Sequence, residues 1–404
     1  MTELELELEV EPRAPDYIGQ IRVGGPQGFW AAFDHVLASV SIRHGRDTVD
    51  GPVQASTCTL GLRALPRSDL KIWEVGTMLE IWDSSNAKLF TGTITDNALA
   101  EDDPLTDAVL SIVAVSTLEQ AGSRQVRGHA WPAEGWGARA ARILSEAGLT
   151  GTVQAPTPDV PLAAPPPDEP NVDDPSTGTW AATDALSALG DILNDVDGTV
   201  FELGDGTIVV QALSGRAGLY PMLTLDPAIV LYSPEWEMTL DVKNRIVLGW
   251  GYGADAGGGS VTVNDPDSQT RYGLRWTGEF TTGLADATTA GHQALEKLDR
   301  LAWPRWSLGA VTVLEPQALA IGQLVQLTEL PAAAPFASWN AVVEGWVDTI
   351  EGPDWTQDLV LADPQDSGLA LPWLDVPASL LWQDVAPACR WSDAYNLGNL
   401  IPEG

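Results

Sequence analysis

Apolar and polar residues alternate at the start of the chain, where glutamates separate Leu4, Leu6, Leu8 and Val10. A period of two places all four side chains on one face of a β-strand. The rhythm continues to about residue 120 as strand, turn, strand. "GTMLEIWDSSNAKLFTGTITD" reads as two strands around a Ser-Ser-Asn-Ala turn, and "DAVLSIVAVST" as a buried strand. "SVSIRHGRDTVDGPVQASTCTLGL" reads as two strands joined by a knot of charge at residues 43–51.

From residue 125 to 232 the period lengthens. "WGARAARILSEAG" puts Trp136, Ala140, Ile143, Leu144 and Ala147 on one helical face, with Gly148 as a C-terminal stop. "ATDALSALGDILNDVDG" does the same with Leu186, Leu189, Leu193 and Val196. Residues 153–178, rich in Pro, Asp and Ala, predict a linker or flap. "TVFELGDGTIVVQAL" predicts a hairpin around Gly204-Asp205-Gly206. Strand patterns return over residues 235–365, with a glycine-rich hairpin tip, "GWGYGADAGGGS", and one helix over residues 284–302 that Pro304 ends. Residues 366–404 carry Trp373, Trp382 and Trp391 at nine-residue spacing with weak periodicity. Exposed aromatics of that kind are typical interface anchors, so this segment is expected to dock on another protein or subunit, with wrapping of its own barrel as the alternative.

Two stretches echo each other. Residues 75–96 and 321–349 each open on an aliphatic residue and glycine, Val75-Gly76 and Ile321-Gly322. Alternating apolar positions follow, Leu79 and Ile81 in one and Val325 and Leu327 in the other. Each then has a turn and a strand with an internal glycine, Gly92 and Gly345. A glycine inside a strand marks a bend or bulge. Read as a duplication, the pattern predicts one barrel-like unit occurring twice.

Charge and chemistry narrow the function classes. Against 21 Lys and Arg stand 56 Asp and Glu, a formal net charge of −35. Phosphate binding needs clustered cations, so no specific nucleic-acid site is expected, nor attraction to an anionic membrane. The acidic N-terminus lacks the apolar stretch of a signal peptide, and no run is long enough to cross a membrane. Cys58 and Cys389 are too few and too far apart for a disulfide framework or zinc site. His35, His44, His129 and His292 lie in four separate contexts without metal-ligand spacing. No Gly-x-Ser-x-Gly elbow or phosphate loop is present. "NDPDSQ", residues 264–269, misses the EF-hand spacing and reads as an Asx-type turn. No catalytic, cofactor or metal residue is therefore assigned.

The ordered set of these pieces resembles the minor tail proteins of actinobacterial long-tailed phages. It runs from "VLASVSIRHGR" and "VQASTCTLGL" through "LFTGTITD" and "ALSALGDILNDVDGTVFELGDGTIVV". It continues with "ALEKLDRLAWPRW" and "LAIGQLVQL" and ends at "VVEGWVDTIEGPDWTQDLVLADP". The resemblance covers most of residues 30–365 and is similar to tail hub and baseplate hub proteins. It implies a mainly β fold with an α+β insert. Two tube-like barrel or sandwich domains, residues 1–122 and 233–365, would flank an insert at 123–232. Three chains would form a pseudo-sixfold ring at the tail tip, assembled in the host cytoplasm and structural rather than enzymatic. Implied partners are the distal tail protein, the tape measure protein and other tip proteins, with genomic DNA passing through the lumen unbound. No enzymatic or collagen-like extension is seen after residue 365, unlike the family's longer members. Arg43 and Arg46, scarce cations in an acidic chain, are candidate interface residues for a neighbouring subunit's carboxylate. The alternatives are a carbohydrate-binding or carbohydrate-active tip protein and a hexameric distal tail protein.

Overall fold

Period-two segments from both ends of the chain join in one thirteen-stranded sheet, antiparallel except for one pairing. The computed structural model describes residues 17–24, 31–32, 37–46, 54–63, 69–100, 109–156, 158–170, 178–212, 223–232, 236–239, 242–253, 256–273, 277–308, 311–332, 334–335, 337–352 and 354–363. The N-terminal alternation and the segment holding Trp373, Trp382 and Trp391 lie outside these residues.

The sheet contains one strand order twice. In the first module the order is Leu37–Gly45, Thr57–Arg63, Val109–Ser116, Lys88–Ala100, Met78–Asp83, Ile18–Gly24 and Ala31–Ala32. In the second it is Val230–Tyr232, Val311–Val313, Asp354–Ala362, Trp339–Glu351, Leu324–Leu327 and Leu223–Leu225. The first five places correspond. The sixth differs, because Ile18–Gly24 pairs antiparallel to its neighbour and Leu223–Leu225 pairs parallel.

The correspondence extends to single hydrogen bonds. Gly76 donates its N–H to Ile94 O at 2.7 Å, and Ile94 donates back to Thr77 O at 2.9 Å. Gly322 donates to Val343 O at 2.8 Å, and Val343 donates to Gln323 O at 3.0 Å. Both turn glycines have positive φ, +90° and +82°, a region L side chains avoid. Each long strand carries one bulge directly after this site, at Thr95 and at Glu344. The strand-internal glycines need a correction. Gly92 pairs with Leu79, where the second module has Ala341 opposite Val325, whereas Gly345 follows the bulge at the place of Asp96. A bulge is shared, but Gly92 and Gly345 are not equivalent. Gly92 is needed because a Cβ there would lie 2.4 Å from Val115 O.

The modules differ most between their first two strands. Residues 46–56 make this connection in the first module, whereas residues 233–310 make it in the second. That insertion holds the three-stranded sheet Arg245–Trp250, Gly259–Asn264 and Thr277–Thr281, and the helices Pro266–Tyr272 and Ala287–Leu301. "NDPDSQ" thus starts a helix, with the Asp265 carboxylate accepting from the N–H groups of Asp267 and Ser268. Helix Ala287–Leu301 shares a core with the helices Trp136–Glu146 and Ala185–Asp195. Ala290, Ala294 and Leu298 belong to the same buried cluster as Ile143, Leu189 and Ile192. The two insertions form one body, so the sequence boundary near residue 232 cuts through a continuous core.

The proline-rich stretch also packs. Pro161–Leu162 pairs with Glu134–Gly135, Leu162 is buried, and Ala285 donates its N–H to Pro161 O at 2.9 Å. Proline lacks an N–H but keeps its carbonyl. Pro161, Pro165 and Pro166 all use theirs as acceptors, from Ala285, Trp180 and Arg127. Residues 158–170 therefore strap the two insertions together instead of forming a linker.

Candidate assembly interface

The two modules meet edge to edge within the chain. Trp339–Glu351 uses one edge for two partners. Leu324–Leu327 occupies it as far as Val342, and Leu37–Gly45 of the first module occupies it from Gly345 to Glu351. The switch falls at the Glu344 bulge, where the extra residue turns the strand. Two glycines make the approach possible. A Cβ on Gly45, whose φ is +72°, would lie 2.4 Å from Glu344 O, and one on Gly345 would lie 2.3 Å from Arg46 O.

A polar cluster lies across this seam. Buried Asp348 accepts hydrogen bonds from the indoles of Trp346 at 2.9 Å and Trp355 at 2.8 Å, and from the Gln357 amide at 2.9 Å. His44 Nε2 stands 3.5 Å from the same carboxylate, and its ring stacks on Trp346 at 4.6 Å between centroids. Arg46 donates its backbone N–H to Glu344 O at 3.1 Å, and its guanidinium lies 3.9 Å from the buried Glu344 carboxylate. Arg43 pairs in register with Val347. Residues 43–46 thus lie at a junction, and Arg46 finds a carboxylate in the same chain. Apolar packing crosses as well. Ile350 and Trp355 of the second module sit in the first module's core, where Trp355 meets Tyr17 edge to face at 5.5 Å.

Two buried carboxylates fix the helical body. Glu202, at the end of strand Thr199–Glu202, accepts from Leu118 N at 2.6 Å and so caps helix Thr117–Ser123, which follows the first module. Burial pushes its pKa up to about 7, against the pull of hydrogen bonds from Ser116 and nearby backbone. The Gly204-Asp205-Gly206 turn beside it docks on the sheet, Gly204 O accepting from Thr91 Oγ1 at 2.9 Å. Asp195 accepts from Gly283 N at 2.8 Å, and burial pushes it too up to about 7. Asp197 next to it accepts from Gln293 and forms ion pairs with Lys297 and Arg300 of the other insertion. Buried Arg139 bonds Glu134, the Pro132 and Ala163 carbonyls and the Tyr252 hydroxyl. Asp195, Asp197 and Arg139 thereby brace the two insertions against each other.

Sequence reasoning singled out Arg43 and Arg46 for a neighbouring subunit's carboxylate, whereas Arg46 lies beside Glu344 of its own chain, and it did not single out Asp348 or Glu344. In "VVEGWVDT" nothing sets either acid apart from the other carboxylates of a chain with 56 Asp and Glu. Of the histidines, His44 is in the seam, exposed His129 lies 3.5 Å from Glu146, and His292 is on helix Ala287–Leu301. Among the described residues no three His, Cys, Asp or Glu side chains are grouped to hold a metal ion, and no helix is long and apolar enough to cross a membrane.

No protein-family model matches the chain, and no curated protein matches it in sequence. Solved structures do share its fold. A 43 kDa tail protein of prophage MuSo2 from Shewanella oneidensis is 11% identical with a TM-score of 0.58, over 86% of this chain and 99% of that one. A tail protein from Neisseria meningitidis is 13% identical with a TM-score of 0.57, over 87% and 99%. The prophage tail protein gp18 from Listeria monocytogenes is 10% identical with a TM-score of 0.52, over 84% and 94%. At such identities the likeness is one of fold, and it extends across both modules and the body.

Proposed function

We propose that this chain is a structural hub of a phage tail tip. Its modules would form a pseudo-sixfold ring from three copies, which joins the tail tube to the tip and surrounds the path of the DNA. The observation that carries this reading is the duplication itself. One chain holds two copies of a strand order and already joins them edge to edge at Leu37–Gly45 and Trp339–Glu351. A chain with one such join inside it supplies two consecutive sectors of a ring. The fold shared with three tail proteins supports the setting. Distal tail protein, tape measure protein and other tip proteins are the proposed neighbours, and the segment with Trp373, Trp382 and Trp391 is proposed to dock on one of them. The role needs no catalysis.

The charge suits a channel. A net −35 repels a duplex passing nearby, and at physiological salt that repulsion reaches about 8 Å. Carboxylates on the wall would keep DNA from sticking, where a basic wall would bind it. The mass of the assembled particle tests the reading. Three copies is the result expected of a hub, six would indicate a distal ring, and one would overturn the ring.

A further inference from the structure

The internal seam identifies the edges by which one copy would join the next. In the second module, the half of Trp339–Glu351 after the bulge receives Leu37–Gly45. The corresponding half of the first module's long strand is Thr95–Ala100, the part after its own bulge. One edge of it pairs with Val109–Ser116, and among the described residues no strand pairs with the other. Residues 95–99 are exposed, and Leu99 presents 55% of its surface.

The complementary part is at the far end of the sheet. Register through the shared neighbours places Val230, Leu231 and Tyr232 where the first module has Leu37, Ser39 and Val40, the start of Leu37–Gly45. It pairs with Val311–Val313 on one side, and among the described residues the other side is open. Trp236–Thr239 continues the same hairpin against Arg305–Leu308. Leu231 is 55% exposed and Met238 45%.

The geometry points to a strand-addition interface in which the edge that runs from Val230–Tyr232 into Trp236–Thr239 of one copy pairs antiparallel with the long strand Lys88–Ala100 of a second copy, Trp236–Thr239 lying opposite Thr95–Ala98. This assignment rests on the ring reading and gives that ring its contact. An unpaired edge carries a row of backbone donors and acceptors that another strand satisfies. Here the protein already contains the solved version of that contact, at the equivalent place between its own modules. The two surfaces differ, so the contact is heterologous, and repetition closes a ring when the rotation permits. Exposed apolar side chains on both edges, Leu99 on one and Leu231 and Met238 on the other, are the groups such a contact would cover.

Two variants and their mixture test the pairing. Leu99→Asp disables one edge and the double variant Leu231→Asp, Met238→Asp disables the other. All three side chains are exposed, so thermal unfolding of the variants should match that of the wild type at low protein concentration. By light scattering, the wild type is expected to contain three copies and each variant one. Each variant keeps the edge the other has lost, so an equal mixture should form a dimer that grows no further. Hydrogen exchange on the wild type gives a reading free of substitutions, with residues 95–100 exchanging at least tenfold more slowly in the particle than in the monomeric variants. Variants that keep the wild-type mass, or a mixture that stays monomeric, would overturn the edge assignment while leaving the hub intact. A wild type that remains a monomer at any concentration would overturn both.

Discussion

Three side-chain donors converge on Asp348 from inside the seam, two indoles and an amide. Asp348→Ala leaves all three without that acceptor, and at ~1–3 kcal/mol for each orphaned buried donor the loss should reach several kcal/mol. Urea unfolding is the measurement. Asp348→Asn keeps one acceptor oxygen and should lose less than half as much. Arg46→Ala acts differently. Glu344 is almost fully buried, so removal of the nearby guanidinium leaves a carboxylate poorly compensated. Arg46→Ala should therefore destabilise more than the pair Arg46→Ala, Glu344→Gln, and a double-mutant cycle reads the difference. None of this was legible along the chain. His44 and Asp348 lie about 300 positions apart, and only the register of the seam makes them neighbours. Arg46 could be singled out because cations are scarce, but its partner could not.

The two turns make the cleanest comparison between elements. A Cβ on Gly76 would meet nothing within 4 Å, so Gly76→Ala isolates the cost of φ +90°, about 1–2 kcal/mol by thermal or urea unfolding. Strand residue Gly345 carries no such φ cost, but Gly345→Ala clashes with the backbone of His44 and Arg46, and should cost more and loosen the seam. Helices were readable where the period was unambiguous. Trp136–Glu146 ends at Gly148, whose φ is +63°, and Ala185–Asp195 starts at Asp184, whose carboxylate accepts from Ser187 N at 2.8 Å. Helix Thr117–Ser123 escaped because it is two turns long and its cap, Glu202, comes from a distant hairpin. The proline-rich strap escaped because composition reports which backbone groups are missing, not which remaining carbonyls find donors. The duplication was visible through Gly76 and Gly322, which share one conformation. It was misaligned at Gly92 and Gly345, where two glycines serve different close approaches.

Over the whole molecule, buried carboxyls make stability depend on pH. Glu202 has its pKa raised from 4.5 to about 7 in the folded chain. Such a group contributes fully while protonated in both states, below pH ~4.5, and its contribution falls away as pH rises towards ~7. The change for Glu202 alone is about 3 kcal/mol, and Asp195 adds to it with the same sign. The protein should therefore unfold at lower urea at pH 8 than at pH 5. Glu202→Gln should remove part of that difference, matching the wild type at pH 5 and exceeding it at pH 8. The seam has a consequence in time as well as in energy. It pairs Gly45 with Gly345, so the first module's edge leaves the ribosome 300 residues before its partner strand exists. At ~5–20 residues per second that wait is roughly 15–60 s. Throughout it the nascent chain carries an open strand that any free edge nearby could claim, including that of a finished copy. Synthesis thus has to outlast a period in which the correct partner is merely encoded, and slower translation of the second module should raise the fraction of chains lost to aggregates.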